Sequence, residues 1–301
     1  PLLGRDWAAA YLFVLPSLCI MGGLIAYPFL RAIYLSFTNT RGSQVGAFVG
    51  LANYRALWAD RFFREAVGVT LRYTWWSVGP TLLLSLIAAL LLHRLGPRAG
   101  LCTGLLLLPW IVPDTVRAIA WRGLLDPLHG ALNRVLIDLG ALERASPFFG
   151  SPKTALASVV VVNIWQRIPF FTLGLLTGLK AIDLELYEAA AIDGAGGWRQ
   201  FLHVTLPGLG YALLIVTLLG AIWSFNEFNL IFLLTGGGPM NATKVYSVLA
   251  YQYLRQRAGM GTAVALTMAP VFVSMVVVLG RYVLRDQREE RAMEHAALPS
   301  G

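Results

Sequence analysis

Charge is scarce in this sequence. Only 13% of its 301 residues are Asp, Glu, Lys or Arg, while 57% are hydrophobic and the mean hydropathy is +0.64. An average soluble domain carries about 25% charged residues, so an ordinary water-soluble fold is excluded and a membrane protein is indicated. Cysteine is nearly absent too. Cys19 and Cys102 both fall inside apolar runs, where a thiol behaves as a small hydrophobe, so no disulfide framework is implied. The four histidines, His93, His129, His203 and His295, have no ligand spacing, and no metal site is expected. Lysine occurs only at Lys153, Lys180 and Lys244. The net charge of +8 comes from arginines scattered through turns rather than gathered in a stripe. That pattern fits lipid headgroups and gives no support to nucleic-acid binding. A phosphate-cradling loop is missing as well. Gly236, Gly237 and Gly238 are followed by Pro239 instead of Lys and Ser or Thr, so no nucleotide chemistry is expected on this chain.

What is present is length of apolar run. A helix needs about 20 mostly apolar residues to span a bilayer. Six runs qualify, at roughly 8–30, 70–92, 101–120, 155–178, 208–234 and 262–283. They predict a single all-α membrane domain of six transmembrane helices. Several carry a proline in mid-run, at Pro16, Pro80, Pro109, Pro113, Pro169 and Pro270, which membrane helices accept where neighbours or water satisfy the freed carbonyl. The chain begins at Pro1 rather than methionine, leaving room for residues ahead of it. Its first run is too long for the core of a signal peptide. Between the spans, 48–67 mixes Leu51, Tyr54, Leu57, Trp58, Phe62 and Phe63 with arginines and reads as an interfacial amphipathic helix; 246–257 reads alike.

The stretch 183–207 is polar but still patterned for folding. Asp183 is a good N-cap whose carboxylate can accept from first-turn amides, and Glu185 suits the positive end of the dipole. A helix over about 184–192 is predicted, with Gly194 free to turn left-handed, and a second short helix from about Trp198 that Pro207 ends. This places Tyr187, Glu188, Ala189 and Ala190 on an exposed knuckle.

Glu188-Ala189-Ala190, followed after three residues by Gly194 and after nine more by Val204, with Leu206-Pro207 closing the pattern, resembles the EAA loop of binding-protein-dependent ABC importer permeases. The departure is Val204, where that family usually has Ile. Three further segments resemble its carbohydrate branch, the maltose and glycerol-phosphate type permeases. They are Phe48-Val49-Gly50-Leu51-Ala52-Asn53-Tyr54, Leu108-Pro109-Trp110-Ile111-Val112-Pro113 and Leu234-Thr235-Gly236-Gly237-Gly238-Pro239. The resemblance implies a cytoplasmic coupling loop between the fourth and fifth spans, docked on an ATPase through Tyr187, Glu188, Ala189, Ala190, Asp193, Gly194, Leu206 and Pro207. It also implies a bacterial inner-membrane location with both termini cytoplasmic. The partners would be a second permease subunit, two ATPase subunits and an extracytoplasmic solute-binding protein. ATP and Mg would be bound by the ATPase, and no cofactor by this chain. Lysine and arginine bias does not decide the orientation. That topology puts nine inside (Arg5, Arg94, Arg98, Lys180, Arg199, Arg281, Arg285, Arg288 and Arg291) and eleven outside.

Charge inside a span must face protein, water or a partner. Arg31 and Arg72 lie near span ends and can snorkel. Arg117 is deeper, with Asp114 three residues before it on the same helical face. Two clusters are candidates for a polar solute path: Asn163, Trp165, Gln166 and Arg167 in the fourth run, and Trp223, Asn226, Glu227 and Asn229 in the fifth. Amides and charges can hydrogen-bond hydroxyls while an aromatic face meets a sugar ring. The same residues can instead glue helices together, with Glu227 paired to an arginine. The expected function is passage of a carbohydrate through an ABC importer. Glycerol phosphate or another polar solute is the first alternative, and an ion-coupled transporter using Asp114 or Glu227 a second. A third is a scaffold that transports nothing.

Overall fold

The computed structural model describes residues 7–42, 44–96, 99–278, 280 and 281. Arg5, Arg98, Arg285, Arg288, Arg291, His295 and the end of the sixth predicted span lie outside the described residues. Among the described residues the regular structure is helical, apart from two isolated β-bridges. In chain order the helices are α1 (Trp7–Met21), α2 (Tyr27–Ser36), α3 (Ala52–Ala59), α4 (Arg61–Leu95), α5 (Ala99–Ile111), α6 (Asp114–Leu124), α7 (Ala131–Asp138) and α8 (Ala155–Lys180). Then come α9 (Leu184–Ile192), α10 (Gly197–Gln200), α11 (Leu206–Gly208), α12 (Gly210–Phe225), α13 (Asn229–Thr235), α14 (Tyr246–Gln256) and α15 (Ala258–Thr267).

Among the described residues, four helical stretches are long and apolar enough to cross a membrane: Tyr11–Ser36, Arg61–Leu95, Ala155–Lys180 and Ala258–Val278. Two bent pairs raise the number to six if each is one span: α5 with α6, bent by 95°, and Gly197–Gly208 with α12, bent by 62°. The third predicted run is therefore not a straight helix. Val112 precedes a proline, which disfavours helical backbone, and Pro113 takes ψ 145°. The fifth run differs as well, since α12 stops at Phe225 and the chain restarts as α13 at Asn229. Local amide chemistry explains that restart, because the Glu227 carboxylate accepts the Leu230 N–H at 3.1 Å.

The interfacial helix expected over 48–67 is two elements. Asp60 leaves helical geometry after α3 (ψ 120°), and its Oδ1 accepts the Phe62 N–H at 2.7 Å, capping the start of α4. With 35 residues, α4 runs about 52 Å, longer than the roughly 30 Å hydrocarbon core of a bilayer. The stretch 246–257 is likewise not wholly interfacial: Tyr246, Val248 and Leu249 are buried and only later residues such as Leu254 are exposed.

Among the described residues, those up to 64 together with 249–269 form one compact unit, and 65–248 with those from 270 onward another. In the first unit, α15 packs along α2 and α3. Asn53 donates to the carbonyls of Ser36 and Thr38, both at 2.8 Å, and Tyr54 bonds the Ser36 hydroxyl. The Asn53 amide thereby satisfies carbonyls at and just beyond the end of α2. Side chains 11–31 are all exposed, an apolar surface suited to lipid rather than water.

In the second unit, α8 packs against α5, α12 and α13, with buried Phe171, Leu175, Leu209 and Val216 at its centre. The approach of α8 to α12 depends on small residues. A Cβ at Gly178 would lie 2.7 Å from that of Ala212, and one at Gly220 would enter the Phe171 ring, 2.8 Å from Cε2.

Candidate functional site

The bend between α5 and α6 creates the first part of the site. Pro113 has no N–H to give the carbonyl of Pro109 one helical turn earlier. Arg117 supplies the missing donor, with Nη1 3.2 Å from that oxygen. Arg117 is only 2% exposed. Its Nη2 bonds Asp114, and the Gln166 amide of α8, set with its oxygen inward, accepts from Nη1 and Nη2 at 3.0 and 3.1 Å. Asp114 in turn accepts from Asn229 Nδ2 at 3.3 Å. One arginine thereby joins the two halves of the bent span to α8.

The break after α12 supplies the second part. Arg167 Nη2 lies 3.1 Å from Glu227 Oε2, with the two side chains 15% and 9% exposed. The same guanidinium sits 5.1 Å from the Trp223 ring centroid, which the edge of Phe170 also meets at 4.6 Å. The Glu227 carbonyl accepts from Ser247 at 2.6 Å, and Asn226 Oδ1 accepts from the Tyr246 hydroxyl at 2.9 Å. Asn226 and Asn229 remain exposed. Glu227 therefore ties α8, the start of α13 and α14 together.

Both parts open on one cavity of roughly 340 Å³, lined by Asp114, Gln166, Arg167, Ile222, Trp223, Asn226, Glu227, Phe228 and Asn229. Of the eight solute-path candidates, Gln166, Arg167, Trp223, Asn226, Glu227 and Asn229 meet there. Asn163 and Trp165 do not line it. Trp165 packs edge-on against Trp121, with centroids 5.5 Å apart. Asn163 is fully buried near Tyr73, and its side-chain atoms make no hydrogen bond among the described residues. Along α8, Trp165 falls on a different face from Arg167, whereas Asn163, three and four residues before Gln166 and Arg167, shares their face one turn earlier, against Tyr73 rather than the cavity. Tyr246 is a participant that sequence reasoning missed. An amphipathic pattern hid the fact that its first turn points inward.

Between α8 and α12, helix α9 ends in a six-to-one bond from Ala195 N–H to the Ala190 carbonyl and a five-to-two bond from Gly194 to Ala191, at 2.9 and 3.0 Å. Gly194 takes φ +75°, a conformation glycine adopts without penalty. Three details depart from local expectation. The Asp183 side chain makes no capping bond, although its backbone is extended as an N-cap requires. Pro207 does not end the second helix; a π turn over Phe201–Thr205 precedes it and the chain stays helical to Gly208. A proline can sit there because it occupies the first turn of α11, where its missing N–H costs nothing. Tyr187 is not presented outward with Glu188, since its hydroxyl lies 3.0 Å from that of Thr205. Glu188 and Ala189 are exposed, Ala190 half-buried. No group of three or more His, Cys, Asp or Glu that could hold a metal occurs among the described residues.

Residues 42–285 match the family described as binding-protein-dependent transport system inner membrane component. The chain belongs to that family. Over 285 residues this transport component is 33% identical to the trehalose/maltose transport system permease protein MalF of Thermococcus litoralis, covering 92% of this chain and 95% of that one. It is 32% identical over 291 residues to the diacetylchitobiose uptake system permease protein DasB of Streptomyces coelicolor, covering 94% and 88%. Its fold is similar to that of a bacterial ABC transporter involved in the import of the acidic polysaccharide alginate. There the TM-score is 0.80 at 22% identity, with 93% of this chain and 96% of the other covered. As a component of such a transport system, the chain acts with other subunits in the inner membrane.

Proposed function

We propose that this transport component is the permease subunit of an ABC importer that passes a carbohydrate across the membrane. One observation carries the reading: a small polar cavity, walled by two aromatic rings, three amides, the Arg167–Glu227 pair and the Asp114 carboxylate, lies among apolar spans of a transport-family chain. Hydroxyl-bearing solutes need this mixture of planar hydrogen-bonding groups and ring surface. The curated relatives named above are permeases for sugars, which supports the same class of solute.

In this reading each bent pair counts as one span, giving six, and 183–207 is a cytoplasmic coupling loop. Both termini are cytoplasmic. Helix α9 docks on an ATPase subunit through exposed Glu188 and Ala189, with Ala190, Asp193, Gly194, Leu206 and Pro207 shaping the loop and Tyr187 tying it to Thr205. A second permease, two ATPase subunits that bind ATP and Mg, and an extracytoplasmic binding protein complete the importer. Closure of the ATPase pair moves α9. That motion reaches the cavity because α8 and α12, which line it, flank the loop.

Purification of the chain from its native membrane in mild detergent tests this. Co-purification of an ATPase and a second permease, with hydrolysis stimulated by one binding protein and a sugar, is the expected result. A chain that comes alone and supports no ATP-dependent uptake counters the reading and favours ion coupling at Asp114 or Glu227.

A further inference from the structure

Arg167 lines the cavity and Arg117 lies behind Asp114, and an arginine in a transport path usually invites an anion. Here the charge of each is already matched by a carboxylate. Arg167 is paired with Glu227 at 3.1 Å and laid over Trp223. Arg117 is 2% exposed, and its guanidinium is shared among Asp114, Gln166 and the Pro109 carbonyl. The carboxylates are placed the other way. Asp114 is 40% exposed beside a nearly hidden Arg117, so the acid and not the base faces the cavity. Arg167, Glu227 and Asp114 are the charged groups in the lining, and with Arg117 directly behind Asp114 the two pairs cancel in charge. The most accessible groups are thus carboxylate oxygen and the amides of Asn226 and Asn229.

Resting on the carbohydrate reading above, we infer that this cavity selects a neutral hydroxylated solute and rejects its phosphorylated or acidic counterparts, with Glu227 and Asp114 setting the charge preference. A phosphate group entering the site meets the exposed Asp114 carboxylate and an Arg167 whose charge Glu227 already neutralises, so its own charge goes unmatched. A sugar hydroxyl instead donates to Asp114 and exchanges bonds with the amides without disturbing either pair. The solute is therefore a neutral sugar or polyol.

The test uses the assembled permease–ATPase complex in nanodiscs without its binding protein, so that only the membrane site is read. Radiolabelled trehalose, maltose and glycerol are offered, with trehalose 6-phosphate, glycerol 3-phosphate and glucosamine as competitors. A neutral probe binds, its phosphate ester binds at least about tenfold more weakly, and glucosamine gains no advantage, tenfold being some 1.4 kcal/mol. Glu227→Gln keeps an acceptor for the Leu230 amide while releasing Arg167, and narrows the tenfold gap to about threefold or less. Asp114→Asn, which keeps an acceptor for Asn229, is the second variant should the first misfold, and narrows the gap likewise. A phosphate ester that binds the unaltered complex as tightly as the neutral sugar overturns the inference. So does a gap that survives both variants, or tighter binding of glucosamine than of any neutral probe. Binding of the phosphate esters alone overturns the inference but leaves import standing. If no probe binds an intact, ATP-hydrolysing complex, the carbohydrate reading falls and takes the inference with it.

Discussion

Arg167 on α8 and Glu227 in the break after α12 are sixty positions apart in sequence and 3.1 Å apart in space, both largely withdrawn from solvent. Glu227 has a second duty, since its other oxygen accepts the Leu230 amide that opens α13. Replacing it by Ala strands a buried guanidinium and an orphan N–H together. Removing one partner of a buried pair costs about 3–5 kcal/mol. Glu227→Ala is expected to lower the thermal unfolding midpoint of the purified complex sharply, and Glu227→Gln, which keeps the amide bond, much less. Equal midpoints for the two variants would argue that the carboxylate does not organise the break.

The α8–α12 crossing yields a packing prediction. Gly220 lies against Phe171, where a side chain has no room. Gly220→Val should destabilise the protein by about 1–3 kcal/mol, as overpacking commonly does. Phe171→Leu should restore part of that loss in the double variant. Thermal melts of the four proteins read the outcome, and an absence of rescue places the strain elsewhere.

The exposed α9 knuckle separates folding from coupling. Glu188→Lys touches no buried group, so insertion and yield should stay unchanged while ATP-driven uptake falls by at least about tenfold through loss of a charged contact. Unchanged uptake would sink the docking role. Gly194→Val acts differently, because a β-branched residue is strained at φ +75°. It should weaken ATPase co-purification, whereas Gly194→Asn should largely preserve it.

The turn after α6 gives a pH dependence. Backbone N–H groups of His129 and Leu128 donate to Asp126 Oδ1 at 2.7 and 2.9 Å and hold its carboxyl below the ordinary carboxylate range. A depressed folded-state value means that the carboxylate's stabilisation is complete above the usual carboxylate range and is lost as pH falls through the lowered value. Amide exchange at His129 should therefore accelerate on acidification, after correction for intrinsic rates. Asp126→Asn should flatten that response; an identical profile in the variant would exclude the carboxyl as its source.

How far the sequence could be read depends on the range of the forces involved. Gly194 was legible because a left-handed turn is a local demand, and the 155–178 run because α8 is one uninterrupted apolar helix. The broken spans were not. Hydropathy counts apolar residues without registering that Pro113 interrupts a hydrogen-bond ladder or that Glu227 starts a new one. Pro109 and Pro113, four residues apart, were nonetheless a usable signal: the second proline cannot bond the first one's carbonyl. Pro207 illustrates the reverse, a local breaker absorbed at the first turn of α11.

By itself the sequence determined that the chain is a helical membrane component and which few polar residues must avoid lipid, because transfer of charge into hydrocarbon is costly whatever the neighbours. Only the tertiary structure decided what those residues do. It hid Arg117 behind Asp114, paired Arg167 with Glu227, left Asn163 and Trp165 out of the cavity lining and bonded Tyr246 to Asn226 at its edge. Those choices follow from where two bends and one break place the helix faces. Side-chain partnership acts over about 3 Å, and the chain reaches that distance only after it has folded.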